Sequence, residues 1–477
     1  MTKSKSNLVN QARQGDSRTE NGAVTNSTTL NSVLDLFFLA GSARALSEEK
    51  LERMIASSYQ EDALSTLKLI FWAGDIRGGA GERRFFKVAL NWLYENDRDS
   101  FYENLDLVSE FSRWDVLFQF ADDVHVMTYI YTNFKEGNGL LAKWMPRKKQ
   151  YNNFGSKFRK MFDLTPKEYR KSLVALTDVV ETKMCAKEFG RINYEHVPSI
   201  AMKNYRTAFY KNDEKRFDSY INAVTKGEKK INAKAIFPTD IIKECISGYG
   251  YSSLSANTRK TVVAQWNALP NYLKDSTDVI LPVCDCSGSM YPDAIVVALA
   301  LTLYISERNN SIFKDAFITF SSEPSMNYLE GDVVTRLQQI VSSKWGYSTN
   351  LLKTMKLVLD TAIKNKLSQE ELPNKLMILS DMEFNDSDVA GRQADTINDN
   401  IKQMFADAGY KAPQLVYWNI EARSTSNFPV SYNDSGVALI SGQSPSIIKS
   451  VLANEVSPVA IMKKTLDTER YSKIQLG

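Results

Sequence analysis

Five oxygen-bearing side chains in three parts of the chain could together hold a hard metal ion. The segment DCSGS supplies three of them, the Asp285 carboxylate and the hydroxyls of Ser287 and Ser289. Carboxylates and hydroxyls are hard oxygen donors, and these suit Mg²⁺ or Mn²⁺ rather than a soft metal. Gly288 permits a tight turn between the two serines. The segment is therefore a candidate site for a hard divalent ion.

The elements around this segment place it at one edge of a sheet. The run DVILPVC at 278–284 is short and apolar, which is typical of a buried strand, and a helix is predicted at 291–308. A residue between such a strand and helix lies at the carboxyl edge of the sheet. Ligands bind at this edge in open α/β folds.

The DxSxS pattern after a first strand resembles the metal-ion-dependent adhesion site of von Willebrand A domains. That family adds a threonine from a later loop and an aspartate at the end of a later strand, and Thr349 and Asp381 fill these positions. The resemblance implies that Ser287, Ser289 and Thr349 coordinate the ion through their hydroxyls. It implies that Asp285 and Asp381 act mostly through bound waters, and that one position stays open for an acidic group of a partner.

A purely structural role is the alternative for these residues. Asp285 and the serines could cap the helix that follows them, and Thr349 could be a helix N-cap. Because all five family positions are filled in order, we interpret the set as a metal site. Glu383 lies two residues beyond Asp381 and is interpreted as a neighbour of the site or a surface residue, not a ligand.

The rest of the sequence divides the chain into three parts. Residues 1–28 are polar and predict a disordered tail. Residues 29–275 show helical patterns with short connections, which predict an α-solenoid of stacked helical pairs. Residues 276–477 alternate between strand and helix patterns, which predicts a Rossmann-like, von Willebrand A-like α/β domain with a mostly parallel sheet. The predicted strands of that domain are 278–284, 315–320, 375–380, 414–420 and 436–440, and its predicted helices are 291–308, 332–342, 350–365, 389–409 and 444–453.

A glycine-rich stretch in the helical half, WAGDIRGGAGERR at 72–84, could form a nest for a phosphate. It contains Arg77, Arg83 and Arg84, but it lacks the GK[ST] ending of a nucleotide-binding P-loop. A turn between two helices, with basic residues where the second helix begins, is the interpretation that we adopt.

A second stretch, 143–171, is strongly basic and has aromatic residues between its charges. Basic side chains with stacking rings can grip single-stranded nucleic acid, and a solvated basic face over buried rings explains the pattern equally well. Its acidic residues are Asp163 and Glu168 alone. Its basic residues are Lys143, Arg147, Lys148, Lys149, Lys157, Arg159, Lys160, Lys167, Arg170 and Lys171, and its aromatic residues are Trp144, Tyr151, Phe154, Phe158, Phe162 and Tyr169.

Several runs resemble an uncharacterised family of phage, fungal and plant proteins that is similar in layout to the Ro autoantigen (TROVE) proteins. The runs are FWAGDIRGG (71–79), AKWMP (142–146), VPSIAM (197–202), LSDMEF (379–384), YWN (417–419) and GVALISG (436–442). Ro proteins pair a ring of HEAT-like helical repeats with a C-terminal A-type domain. The resemblance implies such a ring here, together with binding of single-stranded or small structured RNA. The candidate RNA-binding residues are Arg77, Arg83, Arg84, Lys143, Arg147, Lys148, Lys149, Lys157, Arg159 and Lys160.

The composition excludes several other classes of protein. The net charge of +3 indicates no partner by itself. The four cysteines are sparse, and Cys284 and Cys286 lie too close together for an easy disulfide, so we expect reduced thiols and a cytoplasmic location. The N-terminus lacks the apolar core of a secretory signal. The sequence contains no apolar run of about 18 residues, so we expect no membrane-spanning helix. Neither a nucleophile–base pair nor a two-metal carboxylate cluster is recognisable, so we expect no enzyme. The sequence predicts a non-enzymatic RNA-binding protein with a Mg²⁺-binding A-type domain. The alternative is a scaffold whose metal captures an acidic side chain of a protein partner.

Overall fold

The computed structural model describes residues 15–147, 152–247, 250–321, 323–343, 349–384, 397–423, 427–452 and 457–477. Within these ranges the chain forms two compact units. The first unit contains the residues up to Trp92 together with Ile236–Lys473, and the second contains Leu93–Ala235 with Ile474–Gly477. The boundary predicted at residue 276 is therefore not the boundary of a compact unit, because the first helices pack with the sheet. No helix in the described ranges is long and apolar enough to span a membrane.

The first unit begins with a small antiparallel hairpin and a group of helices. Three of these helices have side-chain N-caps: Asn31, Ser47 and Asp62 each accept a hydrogen bond from a backbone N–H of the first helical turn. The elements are β1 (Ser17–Arg18), β2 (Val24–Thr25), α1 (Ser32–Ala40), α2 (Glu48–Glu61), α3 (Ala63–Gly74) and α4 (Arg83–Asn96), of which the residues from Leu93 onward belong to the second unit.

The regular elements described in the second unit are all helices. Its longest helix contains a kink at Asp213, where the backbone leaves helical geometry. The α-helices after α4 are α5 (Arg98–Glu103), α6 (Leu107–Phe111), α7 (Val124–Lys135), α8 (Gly139–Trp144), α9 (Asn152–Met161), α10 (Pro166–Leu176), α11 (Val180–Cys185) and α12 (Ser199–Thr225). A helical N-terminal region, as predicted, is confirmed.

The chain then returns to the first unit and forms a β-sheet together with the helices that connect its strands. Its elements are α13 (Pro238–Ile242), β3 (Ile246–Ser247), β4 (Gly250–Tyr251), α14 (Ala256–Asn267), β5 (Ile280–Asp285), α15 (Ala294–Arg308), β6 (Ala316–Phe320), β7 (Met326–Tyr328), α16 (Val333–Val341), α17 (Leu351–Asn365), β8 (Lys375–Ser380), α18 (Ile397–Asp407), β9 (Gln414–Asn419), β10 (Val437–Ser441), α19 (Ile448–Val451) and α20 (Pro458–Leu466). The five predicted strands are confirmed.

The sheet has six strands in the order β10-β9-β8-β5-β6-β7. Every described pairing is parallel except that of β7, which runs antiparallel to β6 at the edge. This confirms the mostly parallel sheet, and it adds one edge strand that periodicity did not reveal. The order reverses between β5 and β8, and loops at the carboxyl ends of strands form a crevice at such a reversal.

The helices before residue 93 belong to the first unit because α1 packs against the last strand. The Ser441 hydroxyl on β10 donates to the Phe37 carbonyl and accepts from the Gly41 N–H. A Cβ added at Gly41 would lie 2.4 Å from the Ser441 carbonyl oxygen, so only glycine permits this approach. Contacts between distant parts of the chain therefore decide the division into units.

The expectation of a disordered tail over residues 1–28 is wrong for residues 15–28, which are described and structured. Thr19 and Thr25 are buried, and their hydroxyls donate to the carbonyls of Phe384 and Phe428. Asn26 and Phe428 exchange two backbone hydrogen bonds. The polar composition of this segment supplies hydrogen-bond donors to the α/β part instead of contacts to water.

Asp35 fastens the same segment to α1. It accepts hydrogen bonds from the Thr28 hydroxyl and from the hydroxyl and N–H of Thr29. Burial raises the pKa of Asp35 from 3.8 to about 6, although these hydrogen bonds oppose the shift. The folded state therefore holds this proton more tightly than the unfolded state does.

We predict that Asp35 makes the free energy of unfolding fall as pH rises from about 4 to about 6. Because the folded pKa is the higher one, the contribution is complete below pH 4 and is lost by about pH 6, and it amounts to about 3 kcal/mol. In Asp35→Asn, the free energy of unfolding measured by urea at several pH values should no longer show this fall between pH 4 and pH 6. Asp360 is exposed, so Asp360→Asn serves as the control and should show the same pH dependence as wild type. An unchanged slope in Asp35→Asn would contradict the assignment.

Candidate metal centre and basic surfaces

The predicted ligands begin at the point where the strand order reverses. Asp285 is the last residue of β5, is fully buried, and lies beside the end of β8. The Ser380 hydroxyl at the end of β8 donates to Asp285 Oδ2 at 2.5 Å. The carboxylate is thereby oriented by the neighbouring strand.

The turn after β5 brings the two predicted serine ligands together. The Ser287 N–H donates to Asp285 Oδ1 at 2.9 Å, and this bond closes the turn. The Oγ atoms of Ser287 and Ser289 are 3.0 Å apart, in a short 3-10 segment that runs from Gly288 to Met290. Two hydroxyl oxygens and one carboxylate therefore lie within a single turn.

Thr349, just before α17, and Asp381, just after β8, both contact the backbone of Glu383. Thr349 is fully buried, and its Oγ1 donates to the Glu383 carbonyl at 2.9 Å. Asp381 is 2% exposed, and its Oδ1 accepts from the Glu383 N–H at 3.3 Å. A hydroxyl that donates its proton to a carbonyl still carries oxygen lone pairs, so a threonine in such a bond can also coordinate a cation.

Arg423 joins the two groups of residues, and the sequence reasoning missed it. Its Nε and Nη2 donate to Asp381 Oδ2 at 3.1 and 2.7 Å, and Nη2 also donates to the Ser289 carbonyl. Glu421 lies 3.3 Å from the same Nη2. The signal that could have revealed it is a charged residue shortly after β9, at the same edge of the sheet as Asp285.

The donor set fits a hard divalent ion. Burial, and to a lesser degree the charge of Asp381, raises the pKa of Asp285. Two buried carboxylates that repel each other are stabilised by a cation, and hydroxyl oxygens complete a shell that Mg²⁺ accepts. The described residues contain no cluster of three or more His, Cys, Asp or Glu side chains able to hold a metal. The candidate site has a different composition, with two carboxylates and three hydroxyls.

Glu383 is buried and holds the N-terminal hairpin beside this loop. Its Oε2 accepts from the Glu20 N–H at 2.6 Å, and its Oε1 accepts from Asn427 Nδ2 at 2.8 Å. The carbonyl of Glu383 accepts from Asn21 Nδ2 at 2.7 Å. Glu383 therefore supports the loop that carries Asp381.

The glycine-rich stretch forms a packed turn. Asp75 is fully buried and accepts from Arg470 Nε and Nη2 at 2.5 and 2.8 Å and from the Tyr471 hydroxyl at 3.1 Å. A Cβ added at Gly79 would lie 1.9 Å from the carbonyl oxygen of Trp72. Glycine and carboxylate in this stretch hold the turn against the C-terminal segment.

The three arginines of this stretch differ in their surroundings. Arg77 and Arg83 are exposed. Arg84 is half-buried, and its Nη1 donates to the carbonyl of Leu46 at 2.7 Å and to that of Ala43 at 3.3 Å. Those contacts assign Arg84 a structural role, whereas Arg77 and Arg83 present their side chains to solvent.

Most rings of the basic stretch are packing residues. Phe154, Phe158 and Tyr169 are buried, and Phe162 stacks on Tyr131 with ring centroids 3.9 Å apart. They form the interior of α7, α9 and α10, so they offer no open stacking surface. Of the two interpretations of this stretch, the structure favours a solvated basic face over buried rings.

The basic side chains of this stretch are partly engaged with the protein. Arg147 donates to Thr177 Oγ1 at 2.8 Å, Arg159 donates to the Gly155 carbonyl at 3.2 Å, and Lys157 pairs with Asp122. The predicted residues Lys148 and Lys149 lie outside the described residues. Lys143 is half-buried, 6.0 Å from the centre of the Trp144 ring. The exposed cations of α9 and α10 are Lys160, Lys167, Arg170 and Lys171.

We predict that Asp75→Ala lowers the free energy of unfolding by about 3 kcal/mol, because it leaves Arg470 without its buried carboxylate. Urea unfolding followed by tryptophan fluorescence measures the loss. Asp467→Ala is the matched control, since it removes a 56% exposed carboxylate from the Lys68 ion pair and should cost less than about 1 kcal/mol. Equal losses in the two variants would argue against the proposed role of Asp75.

The comparisons with known proteins cover almost the whole chain. A family model described as a domain of unknown function (DUF7788) matches residues 279–473. The uncharacterized protein L728 of Acanthamoeba polyphaga mimivirus is 26% identical over 510 residues, which is 94% of this chain and 87% of that protein. The crystal structure of the Deinococcus radiodurans Ro (RSR) protein superposes with a TM-score of 0.39 and 14% identity, over 91% of this chain and 99% of that chain. A second family model, also described as a domain of unknown function (DUF2828), matches residues 19–132 and 142–279, more than half of the 477 residues, and the chain belongs to this family.

Proposed function

We propose that this protein is a non-enzymatic binding protein whose α/β sheet holds one Mg²⁺ or Mn²⁺ and uses it to capture an acidic group of a partner. The observation that supports the proposal is the convergence of Asp285, Ser287, Ser289 and Asp381 at the reversal of strand order. Thr349, which precedes α17, contacts the loop that carries Asp381 through the Glu383 carbonyl. These are the residues that the von Willebrand A resemblance implies as ligands.

Side chains and backbone groups of the protein would orient the ligands at this site. Ser380 and the Ser287 N–H orient the Asp285 carboxylate, and the turn after β5 presents two hydroxyl oxygens. The bound ion supplies a fixed positive charge with a position open to an incoming carboxylate. Burial of the ligands lowers the local dielectric constant and strengthens that attraction. We assign no nucleophile and no general base to this site. We therefore expect the site to capture a carboxylate and not to cleave a bond.

We predict that Mg²⁺ raises the thermal unfolding midpoint of the wild-type protein and that Asp285→Asn removes the effect. An ion that binds only the folded state stabilises it by about 2.7 kcal/mol at a free concentration a hundred times its Kd. Scanning calorimetry in EDTA and in graded MgCl₂ measures the shift. The exposed Asp360→Asn should respond as wild type does.

Two results would count against this proposal. One is a Mg²⁺ shift of the same size in Asp285→Asn, because the ion would then bind elsewhere. The other is Mg²⁺-dependent hydrolysis of RNA or a phosphate ester that disappears in Asp381→Asn, since this would make the site catalytic. A partner captured from the native cells should be lost with EDTA and with Asp285→Asn alike.

RNA binding is the second candidate function. The Ro-like runs of the sequence suggest it, and exposed basic side chains on α9 and α10 provide the specific observation in its favour. Because the neighbouring rings are buried, the protein would bind phosphates and not stacked bases. Affinity of this kind depends strongly on salt and weakly on sequence.

We predict that the triple variant Lys160→Glu, Arg170→Glu and Lys171→Glu weakens binding of single-stranded RNA. The slope of log affinity against log salt should also fall, by roughly one for each phosphate that the variant no longer neutralises. Fluorescence anisotropy of a labelled oligonucleotide at several salt concentrations measures both quantities. The control changes three exposed lysines of the same unit, Lys211, Lys215 and Lys226, to glutamate. An equal loss in the control would show a general effect of charge.

A further inference from the structure

Arg423 occupies a position at the candidate metal site that its hydrogen bonds make unusual. One of its guanidinium nitrogens, Nη2, donates both to Asp381 Oδ2 at 2.7 Å and to the Ser289 carbonyl. Both partners belong to residues proposed as metal ligands. The guanidinium therefore spans the two halves of the proposed ligand set, the turn after β5 and the loop after β8.

The charges explain why a cation is held there. Asp381 is 2% exposed and Asp285 is fully buried, and two such carboxylates side by side repel each other strongly where water is scarce. Arg423 is 26% exposed and brings one positive charge into direct contact with Asp381. A divalent ion bound by the same residues would bring two charges and would repel the guanidinium.

Glu421 offers Arg423 a second partner. Its carboxylate lies 3.3 Å from Nη2, two residues before Arg423 and outside the proposed ligand set. The guanidinium can therefore leave Asp381 without losing every acidic neighbour. An arginine with a carboxylate on each side has two alternative ion pairs, and only one of them involves a metal ligand.

We propose that Arg423 is an internal cation that competes with the divalent ion for Asp381. Without metal, the guanidinium neutralises Asp381 and joins it to the Ser289 carbonyl. Metal binding requires Arg423 to release Asp381 and to pair with Glu421. This inference rests on the proposed metal-binding function, and it adds that the protein limits its own affinity for the ion. Arg423 is a positioning residue in this scheme and not a ligand.

The test compares Mn²⁺ binding by the full chain and its Arg423 variants, with free Mn²⁺ measured by electron paramagnetic resonance. Arg423→Gln should bind Mn²⁺ at least about tenfold more tightly than wild type, because a repelling charge and a competing ion pair are both removed. Arg423→Lys keeps the charge but lacks the planar fork that contacts two partners, so its affinity should be intermediate. If Arg423→Gln does not fold, Arg423→Lys tests the proposal in its place.

The matched control is Arg336→Gln, which removes an arginine from a half-buried pair with Asp315 at 2.6 Å in the same unit. Its Mn²⁺ affinity should equal that of wild type. Unfolding in EDTA provides a readout independent of binding. There Arg423→Gln should unfold at a lower temperature than wild type, and Mn²⁺ should raise its midpoint by more than it raises that of wild type.

Failure of this inference is distinguishable from failure of the metal site itself. Equal or weaker Mn²⁺ binding by Arg423→Gln, while wild type binds one ion that Asp285→Asn loses, would overturn the competition and leave the site. Absence of binding in wild type and in both Arg423 variants would overturn the site and the competition together. Binding that appears only in Arg423→Gln, and disappears when Asp285→Asn is added, would support the competition.

Discussion

Two carboxylates buried at the same edge of a parallel sheet need a positive charge close to them, and much of the surrounding structure meets that requirement. Asp285 lies at the end of β5, and Asp381 follows β8, the adjacent strand. Ser380 and backbone N–H groups stabilise the charges by hydrogen bonds, and Arg423 supplies a full charge. Hydroxyl oxygens around the carboxylates would let a divalent ion take the place of the arginine. The arrangement makes this edge electrostatically sensitive to whatever cation it holds.

The loop that carries Asp381 is supported by a remote part of the chain. Glu383 is fixed by the N-terminal hairpin through the Glu20 N–H and the Asn21 side chain. The residues that directly follow the hairpin are held by backbone pairing of Asn26 with Phe428 and by the hydrogen bonds of Thr28 and Thr29 to Asp35. A second long-range anchor, the ion pair of Asp75 with Arg470, holds the glycine-rich turn. These interactions explain why the first ninety or so residues belong to the compact unit that contains the sheet.

The positions of the aromatic rings change the interpretation of the basic stretch in the helical unit. Side chains such as Phe158 and Tyr169 contribute to the core between α7, α9 and α10, so the aromatic signal reflects packing. Burying such rings removes a large apolar surface from water. The charges left on the outside can attract phosphates, but attraction of this kind does not distinguish one RNA from another.

The sequence by itself determined the α/β alternation after residue 276, the positions of five strands and the proposed metal ligands. These features depend on local periodicity and on short motifs, because strand and helix patterns repeat within a few residues. Only the tertiary structure decided that residues 15–28 are structured, that Asp75 binds Arg470, and that Arg423 contacts Asp381. Each of these depends on partners tens to hundreds of residues away, and composition carries no information about which distant segments meet. The arginine at the proposed metal site is the most consequential example, since its charge acts on a carboxylate that only folding brings within 3 Å.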